Sequence, residues 1–293
     1  MYKCNNTMQN YSDASNSIFE QIYTGKINDL EFSGPTGESL RKFHNWIKQQ
    51  LILESKRITE GTKLLDVAAG RGGDIFKWKK AKFKYITGFD SDSKSIYERN
   101  EFDGAIKRYN NVKLQTNVPK CYFWNLSATN PDILTLLNGK DSNCIYDVVS
   151  CQFSFHYFVE DIDIVLNMIS KKLKSKGVFI GTATDGDLIR ENLKESDTID
   201  KSAIYINKLD DKMYEFSLIS EKTSRETYFE YRGVSKEYFL SKDFLIEKCK
   251  RFNMHPLRVM SFHEWNSNYT GIRMSINEMA CSFLNFSFIF QKY

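Results

Sequence analysis

Apolar residues recur along this chain first at helical spacing and then in short runs that alternate with helices. Leu40, Phe43, Trp46, Ile47, Leu51 and Ile52 fall on one face at three- and four-residue spacing, which predicts an amphipathic helix from Ser39 to about Lys56. Strands follow at Lys63–Val67, Tyr85–Phe89 and about Lys120–Trp124, separated by a short helix from Asp74 and a helical stretch over 92–109. Pro131 suits the first turn of another helix. Cys144–Cys151 is a short, mostly apolar run of the kind found in a parallel strand covered on both faces. Ile162–Leu173 repeats at helical spacing, Gly177 is read as its stop, and Val178–Thr182 as the next strand. Such alternation predicts an α/β fold, a doubly wound and mostly parallel seven-stranded sheet.

Past Gly186 the rhythm changes. Ala203–Leu209, Met213–Ile219 and Thr227–Tyr231 read as short antiparallel strands, a small insertion over about 200–233. A helix over Lys236–Phe252, a strand near Leu257–Phe262 and a final aromatic strand at Phe283–Phe290 complete the pattern, while 264–280 has no clear reading. Residues 1–36 are polar and weakly patterned and are expected to form a partly flexible arm before a domain over 37–293.

Chemistry concentrates in Leu64-Leu65-Asp66-Val67-Ala68-Ala69-Gly70-Arg71-Gly72-Gly73-Asp74, followed by Gly88-Phe89-Asp90. An apolar strand opens into a glycine-dense turn, and a second acid closes the next strand, where a carboxylate can accept both hydroxyls of a ribose. The turn fits neither the dinucleotide pattern G-x-G-x-x-G nor a P-loop. Asp66, just before the turn, would repel a pyrophosphate but suits a cationic ligand such as the sulfonium and ammonium of S-adenosylmethionine. The plainer alternative is that Asp66 and Asp74 merely cap the turn and the next helix.

The 293 residues are 41% hydrophobic and 27% charged, ordinary for a globular chain able to bury a large core. A net charge of +4 is a mild lean towards polyanions, far short of a dedicated nucleic-acid binder. Local clustering says more: Lys77, Lys79, Lys80, Lys82 and Lys84 follow the glycine turn, although a solvated helix end explains them equally well. The six cysteines and four histidines show no metal-ligand spacing, so no metal and a reducing, intracellular setting are expected. No apolar run approaches the ~18 residues of a membrane span, so no membrane partner is expected. In Cys151-Gln152-Phe153-Ser154-Phe155-His156-Tyr157-Phe158, a histidine and tyrosine at a strand end could hold a planar base, or could be a buried core pair.

Several separate stretches share order and spacing with a known family. They are Leu40-Arg41-Lys42-Phe43-His44-Asn45-Trp46-Ile47-Lys48, the Asp66–Asp74 turn with Lys77-Trp78-Lys79-Lys80, and Ser150-Cys151-Gln152-Phe153-Ser154-Phe155-His156-Tyr157. Gly177-Val178-Phe179-Ile180-Gly181-Thr182 and Ser235-Lys236-Glu237-Tyr238-Phe239-Leu240 follow. Together, from about Ser39 onwards, the chain resembles the mRNA cap guanine-N7 methyltransferases, and its Asn/Lys/Ile-rich composition suggests the capping enzyme of a large DNA virus.

The resemblance implies a Rossmann-like methyltransferase fold. It also implies an activity: methyl transfer from S-adenosylmethionine to guanine N7 of the GpppN cap at an RNA 5′ end, leaving S-adenosylhomocysteine. Its positions put Lys48 at the carboxylate end of the donor, Asp66, Ala68 and Gly70 along its methionine part, Asp90 on the ribose and Asn125 beside the adenine. Gln152 and Tyr157 match residues near the sulfonium. Arg71 and Lys77 match basic residues near the cap phosphates, and His156, Tyr157 and Glu237 match contacts to the guanine, positioning it without a general acid or base.

Three positions depart from the family pattern. Ala68 replaces a usual glycine, Asn125 a usual aspartate, and Asn285 and Phe286 stand where a final-strand tyrosine usually reaches the cap. Other capping-enzyme domains or a stimulatory subunit are conceivable partners, and a viral origin would place the chain in host cytoplasm, viral factory or virion. Two alternatives remain: a small-molecule methyltransferase of the same fold, and a non-catalytic, methyltransferase-like stimulatory subunit.

Overall fold

The computed structural model describes residues 37–99, 103–201, 204–218 and 234–293. The expected arm over 1–36 and the strand over 227–231 lie outside the described residues. The described residues group into two compact units. A sheet unit comprises Lys48–Ala183, Lys242–Val259 and Ser287–Tyr293; an accessory unit runs up to Ile47 and includes Thr184–Ser241 and Met260–Phe286.

Helix α1 (Glu38–Thr59) carries the apolar face read from the sequence, burying Leu40, Phe43, Ile47, Leu51 and Ile52. Next come β1 (Lys63–Val67), α2 (Ile75–Lys80), β2 (Tyr85–Asp90), α3 (Ser93–Tyr97), α4 (Ala105–Val112) and β3 (Lys120–Asn125). The alternation continues with α5 (Ile133–Asp141), β4 (Tyr146–Gln152), a 3-10 turn (Phe155–Phe158), α6 (Ile162–Lys172) and β5 (Leu173–Thr184). After α7 (Gly186–Asn192) lie β6 (Thr198–Lys201), β7 (Ile204–Lys208), β8 (Met213–Leu218) and β9 (Ser235–Tyr238). The chain closes with α8 (Lys242–Arg251), β10 (Met254–Ser261), α9 (Phe262–Asn266), α10 (Ile276–Phe283) and β11 (Asn285–Lys292).

The seven-stranded sheet has the order β10-β11-β5-β4-β1-β2-β3, and the run from β3 through β2, β1 and β4 to β5 is parallel throughout. The chain moves outwards from β1 to β3 and then returns to the other side of β1 with β4. That reversal creates a switch point beyond the carboxyl ends of β1 and β4, where sheets of this kind bind ligands. Strands β6 to β9 form a separate antiparallel sheet in chain order, consistent with the small insertion expected there.

Four boundaries differ from the expectation, each for a local reason. The stretch 92–109 holds two short helices: Asp92 caps α3 by accepting from the amides of Lys94 and Ser95, and Gly104 starts α4 in an extended conformation. A Cβ at Gly104 would come within 2.8 Å of the Ile96 carbonyl, so the chain folds back tightly there. Gly177 does not stop α6, which ends at Lys172 as Leu173 turns extended. It lies inside β5, where a Cβ would meet the Asp147 carbonyl at 2.9 Å. Ser235–Tyr238 is strand β9 rather than the first turn of a helix, with Glu237 opposite Tyr214. Phe283 ends α10, and the last strand begins at Asn285. The unread stretch 264–280 contains the end of α9 and the start of α10, both opened by capping boxes, Ser261 with Glu264 and Ser275 with Glu278.

One buried charge pair ties the sheet to two helices covering it. Lys172 of α6 lies 2.7 Å from Asp141 of α5, at 1% and 0% side-chain exposure. Tyr146 of β4 donates to Asp141 at 2.9 Å and accepts from the Thr87 hydroxyl of β2 at 2.7 Å. Breaking such a pair from one side leaves a buried charge uncompensated. Lys172→Met is therefore expected to lower the unfolding free energy by about 3–5 kcal/mol in urea titration, and adding Asp141→Leu should recover most of that loss.

Candidate functional site

Strand β1 delivers Asp66 to the switch point, 4% exposed, in register with Gly88 on one side and Ser150 on the other. The chain then turns through three left-handed residues, Ala68 (φ 56°), Gly70 (φ 50°) and Gly72 (φ 69°). The glycine usual at position 68 is the residue that adopts this conformation without strain; here an alanine does so. A Cβ at Gly70 would meet nothing within 4 Å, so the turn is open on that side. Gly88 is needed for packing, because a Cβ there would lie 2.9 Å from the Phe123 ring.

Two acids hold this turn. Asp90 ends β2 and accepts the Gly70 amide on one carboxylate oxygen at 2.8 Å and the Asp92 amide on the other at 2.9 Å. Asp74, just before α2, draws in two ammonium groups: Lys48 of α1 at 2.9 Å and Lys77 of α2 at 2.8 Å, both on the same oxygen. Lys77 also reaches the Gly73 carbonyl at 3.4 Å. Lys48 and Lys77, expected at opposite ends of the reaction, thus meet on one carboxylate.

Burial and charge separate the three acids. Burial pushes Asp66 up to about 8, aided by the negative charge of Asp74, and against the hydrogen bond from Ser150 and the charge of Lys48. Burial also works on Asp74, but Lys48 and Lys77 override it and hold that carboxyl well below the usual range. Asp90 is raised by burial, partly offset by the backbone amides it accepts. Burial lowers Lys77, while Asp74 opposes the shift.

Asn125, at the end of β3, donates its amide N–H groups to the carbonyls of Asp90 and Ser91, each at 2.9 Å. With both protons so directed, the side chain presents its oxygen outward as an acceptor. Gln152, at the end of β4, donates to the Ser150 hydroxyl at 3.2 Å and accepts from the Thr182 hydroxyl at 3.2 Å. His156 is buried and its ring lies 4.3 Å from that of Tyr157, which is 40% exposed. Arg71 is buried beside the turn. All these residues belong to the sheet unit.

Glu237 belongs to the accessory unit. It is 3% exposed, accepts from Tyr214 at 2.8 Å and from Ser235 at 2.9 Å, and Tyr214 also bonds Thr184 at 2.9 Å. At the C-terminal strand, Asn285 turns its amide back onto the Cys281 and Ser282 carbonyls, and Phe286 is fully buried.

Sequence reasoning missed four polar partners: Ser150, Thr182, Tyr214 and Ser235. The first two had a signal. Each is a hydroxyl near the carboxyl end of an otherwise apolar buried strand, where a polar residue needs a polar neighbour.

A family model described as the mRNA (guanine-N(7))-methyltransferase domain matches residues 21–280. A mimivirus protein named probable mRNA-capping enzyme (Acanthamoeba polyphaga mimivirus) is 34% identical over 182 residues, covering 56% of this chain and 15% of that protein. The mRNA cap guanine-N(7) methyltransferase of Cryptococcus neoformans (strain JEC21) is 34% identical over 171 residues, 56% of this chain and 26% of the relative. The protein of the same name from Drosophila melanogaster is 30% identical over 164 residues, 52% and 38% of the two chains. The chain thus spans less than half the length of each of these relatives. Among solved structures, an S-adenosylmethionine-dependent methyltransferase from Mesorhizobium loti superposes with TM-score 0.52 at 12% identity, covering 86% of this chain and 100% of that one. Another from Clostridium acetobutylicum gives TM-score 0.50 at 15% identity, covering 96% and 98%. These two share the fold.

The raised Asp66 has a consequence for stability. Burial favours the protonated carboxyl in the fold up to about pH 8, whereas an unfolded chain releases that proton near the ordinary carboxylate value of 3.8. Its contribution to folding is full below the lower value and is lost as pH rises through the upper one. Urea midpoints should therefore fall from about pH 5 to about pH 9, and less steeply in Asp66→Asn. Parallel slopes in the two proteins would mean that Asp66 is already ionised in the fold.

Proposed function

The chain belongs to the mRNA (guanine-N(7))-methyltransferase domain family, and from that premise we propose that it methylates guanine N7 of the GpppN end of RNA, with S-adenosylmethionine as donor. The observation that carries the reading is the set of three carboxylates, Asp66, Asp74 and Asp90, around the open turn at Gly70. A carboxylate at the end of β2, beside a glycine turn, suits the hydroxyls of a ribose. The donor, when bound, supplies an electrophilic methyl group on a positively charged sulfur.

The chain's own residues do the positioning. Each Asp90 oxygen accepts one backbone amide and keeps a lone pair for a ribose hydroxyl. Asn125 offers its oxygen to the adenine amino group. Lys48 has three N–H donors and directs only part of that capacity to Asp74, so it can also take the donor's carboxylate. Gln152 and Tyr157 lie beside the sulfonium in this reading, and Ala68 and Gly70 against the methionine part.

On the acceptor side, the exposed Tyr157 ring offers a face for a purine, with the buried His156 ring tilted against it. Arg71 and Lys77 face the phosphate bridge. Glu237, fixed by Tyr214 and Ser235, accepts from the guanine N–H groups and offsets the positive charge that grows on the base. Guanine N7 carries a lone pair and no proton, so no general base is required. Holding nitrogen, carbon and sulfur in line can supply ~7–11 kcal/mol.

The test is methyl transfer from labelled donor to GpppA- and GpppG-ended RNA, with the modified atom identified. N7-methylguanine is expected; label on another atom, or on small acceptors only, would overturn the reading. Asp90→Ala should weaken donor binding at least about tenfold by calorimetry, since it removes the ribose acceptor and loosens the Gly70 turn. Glu237→Ala should cut turnover on capped RNA by about 100-fold while donor affinity stays within about threefold.

A further inference from the structure

A continuous polar path crosses three neighbouring strands at the switch point. Asp66 and Ser150 are register partners across β1 and β4, and Gln152 and Thr182 are register partners across β4 and β5. Paired residues, and residues two apart on one strand, face the same side of a sheet. All four side chains therefore share one face. Ser150 and Thr182 are fully buried, with 0% exposure each. Neither hydroxyl has water to fall back on, so each must place its proton on a protein acceptor.

The bonding directions follow from counting protons. The Thr182 hydroxyl accepts the Phe153 amide at 2.9 Å and so gives its one proton to the Gln152 oxygen. The Gln152 amide nitrogen donates to Ser150, whose own proton goes to Asp66. Phe153 sits in the left-handed region (φ 55°), a conformation unfavourable for a bulky residue, and its amide is held by both the carbonyl and the hydroxyl of Thr182. Thr182 thus fixes the strand exit as well as one end of the amide.

We propose that Ser150 and Thr182 are positioning residues that set which end of the Gln152 amide faces each neighbour, and that the Ser150 hydroxyl ties this choice to the charge on Asp66. Reversing the amide would require Ser150 to donate to the Gln152 oxygen. Its single proton would then be lost to Asp66, which is tolerable only when Asp66 carries its own. An ionised Asp66 therefore pins the observed orientation, and a neutral one releases it. The groups acting on Asp66 are Asp74 and Asp90, which disfavour its charge, and Lys48 and Lys77, which favour it. Cys121 and Cys151 are close enough to feel Asp66, and burial keeps both thiols neutral, the first pushed up to about 12. The inference rests on the donor reading above, in which Gln152 lies beside the sulfonium.

Calorimetry of the full chain with S-adenosylmethionine and with S-adenosylhomocysteine, from about pH 6 to about pH 9, tests it. Thr182→Val, which keeps the shape and removes the hydroxyl, is expected to weaken S-adenosylmethionine binding about tenfold. It should also change the ratio of the two affinities by at least about threefold, because only one ligand is charged at sulfur. Thr182→Ser should restore both to within about twofold. Ser150→Ala should move the pH dependence of S-adenosylmethionine affinity upwards by roughly one unit, since Asp66 loses a donor to its charged form. An unchanged affinity ratio in Thr182→Val, equal damage in Thr182→Ser, or an unmoved pH profile in Ser150→Ala would each overturn the inference. Ser150→Ala removes a single oxygen and serves as the probe if Thr182→Val does not fold. A wild-type chain that binds neither ligand would instead overturn the donor reading itself.

Discussion

The turn that leaves β1 has no hydrophobic core of its own, and carboxylates hold it from both ends. Asp90 takes the amide of Gly70, while Asp74 gathers Lys48 and Lys77 onto one oxygen. Between those anchors the backbone passes three times through left-handed conformations, which ordinary strand or helix hydrogen bonding does not stabilise. Remove either acid and a buried cation or a strained amide loses its partner. The turn is therefore built from the same charges that a ligand would meet. That explains why so many titratable groups crowd one end of a sheet whose strands are otherwise apolar.

Much of this was legible because a parallel sheet writes itself plainly. Lys63–Val67 and Tyr85–Phe89 are short apolar runs bounded by turn residues, and the structure has strands at those positions with one extra residue, Asp90. The failures share a cause: the sequence signal was real but competed with a tertiary contact. Gly177 reads as a helix stop, yet it is a glycine because the Asp147 carbonyl leaves no room for a side chain. Lys236–Glu237 fits a helical pattern, yet Glu237 lies in a strand opposite Tyr214, whose hydroxyl it accepts. Around 264–280 the capping boxes at Ser261 and Ser275 give little periodic signal beyond themselves, because the helices they open are only five and eight residues long.

At the site, residue type was readable and partnership was not. Asp66, Asp90 and Gln152 stand out from the strand ends on which they sit. That Lys48 and Lys77 would share Asp74 depends on α1 and α2 converging, which no local spacing encodes. The hydroxyls of Ser150 and Thr182 were likewise invisible as partners, since each matters only through a residue on the adjacent strand. In a parallel sheet the register converts separate strand ends into one polar surface. A single-residue slip would turn these side chains to the opposite face and take the whole path apart.

Asn125 illustrates how a departure from a family pattern can be a local solution. An aspartate at this position could accept from an adenine amino group, but it could not donate. The amide here donates to the carbonyls of Asp90 and Ser91, the two residues that end β2 and begin the following turn. Those bonds tie the end of β3 to the residue that holds the Gly70 amide, and they leave the Asn125 oxygen as the outward acceptor. The substitution also avoids placing a further negative charge beside Asp90, whose carboxyl burial already pushes upward. An acid there would raise Asp90 further and weaken its hold on the Gly70 amide, so the neutral amide keeps the acceptor while sparing the anchor.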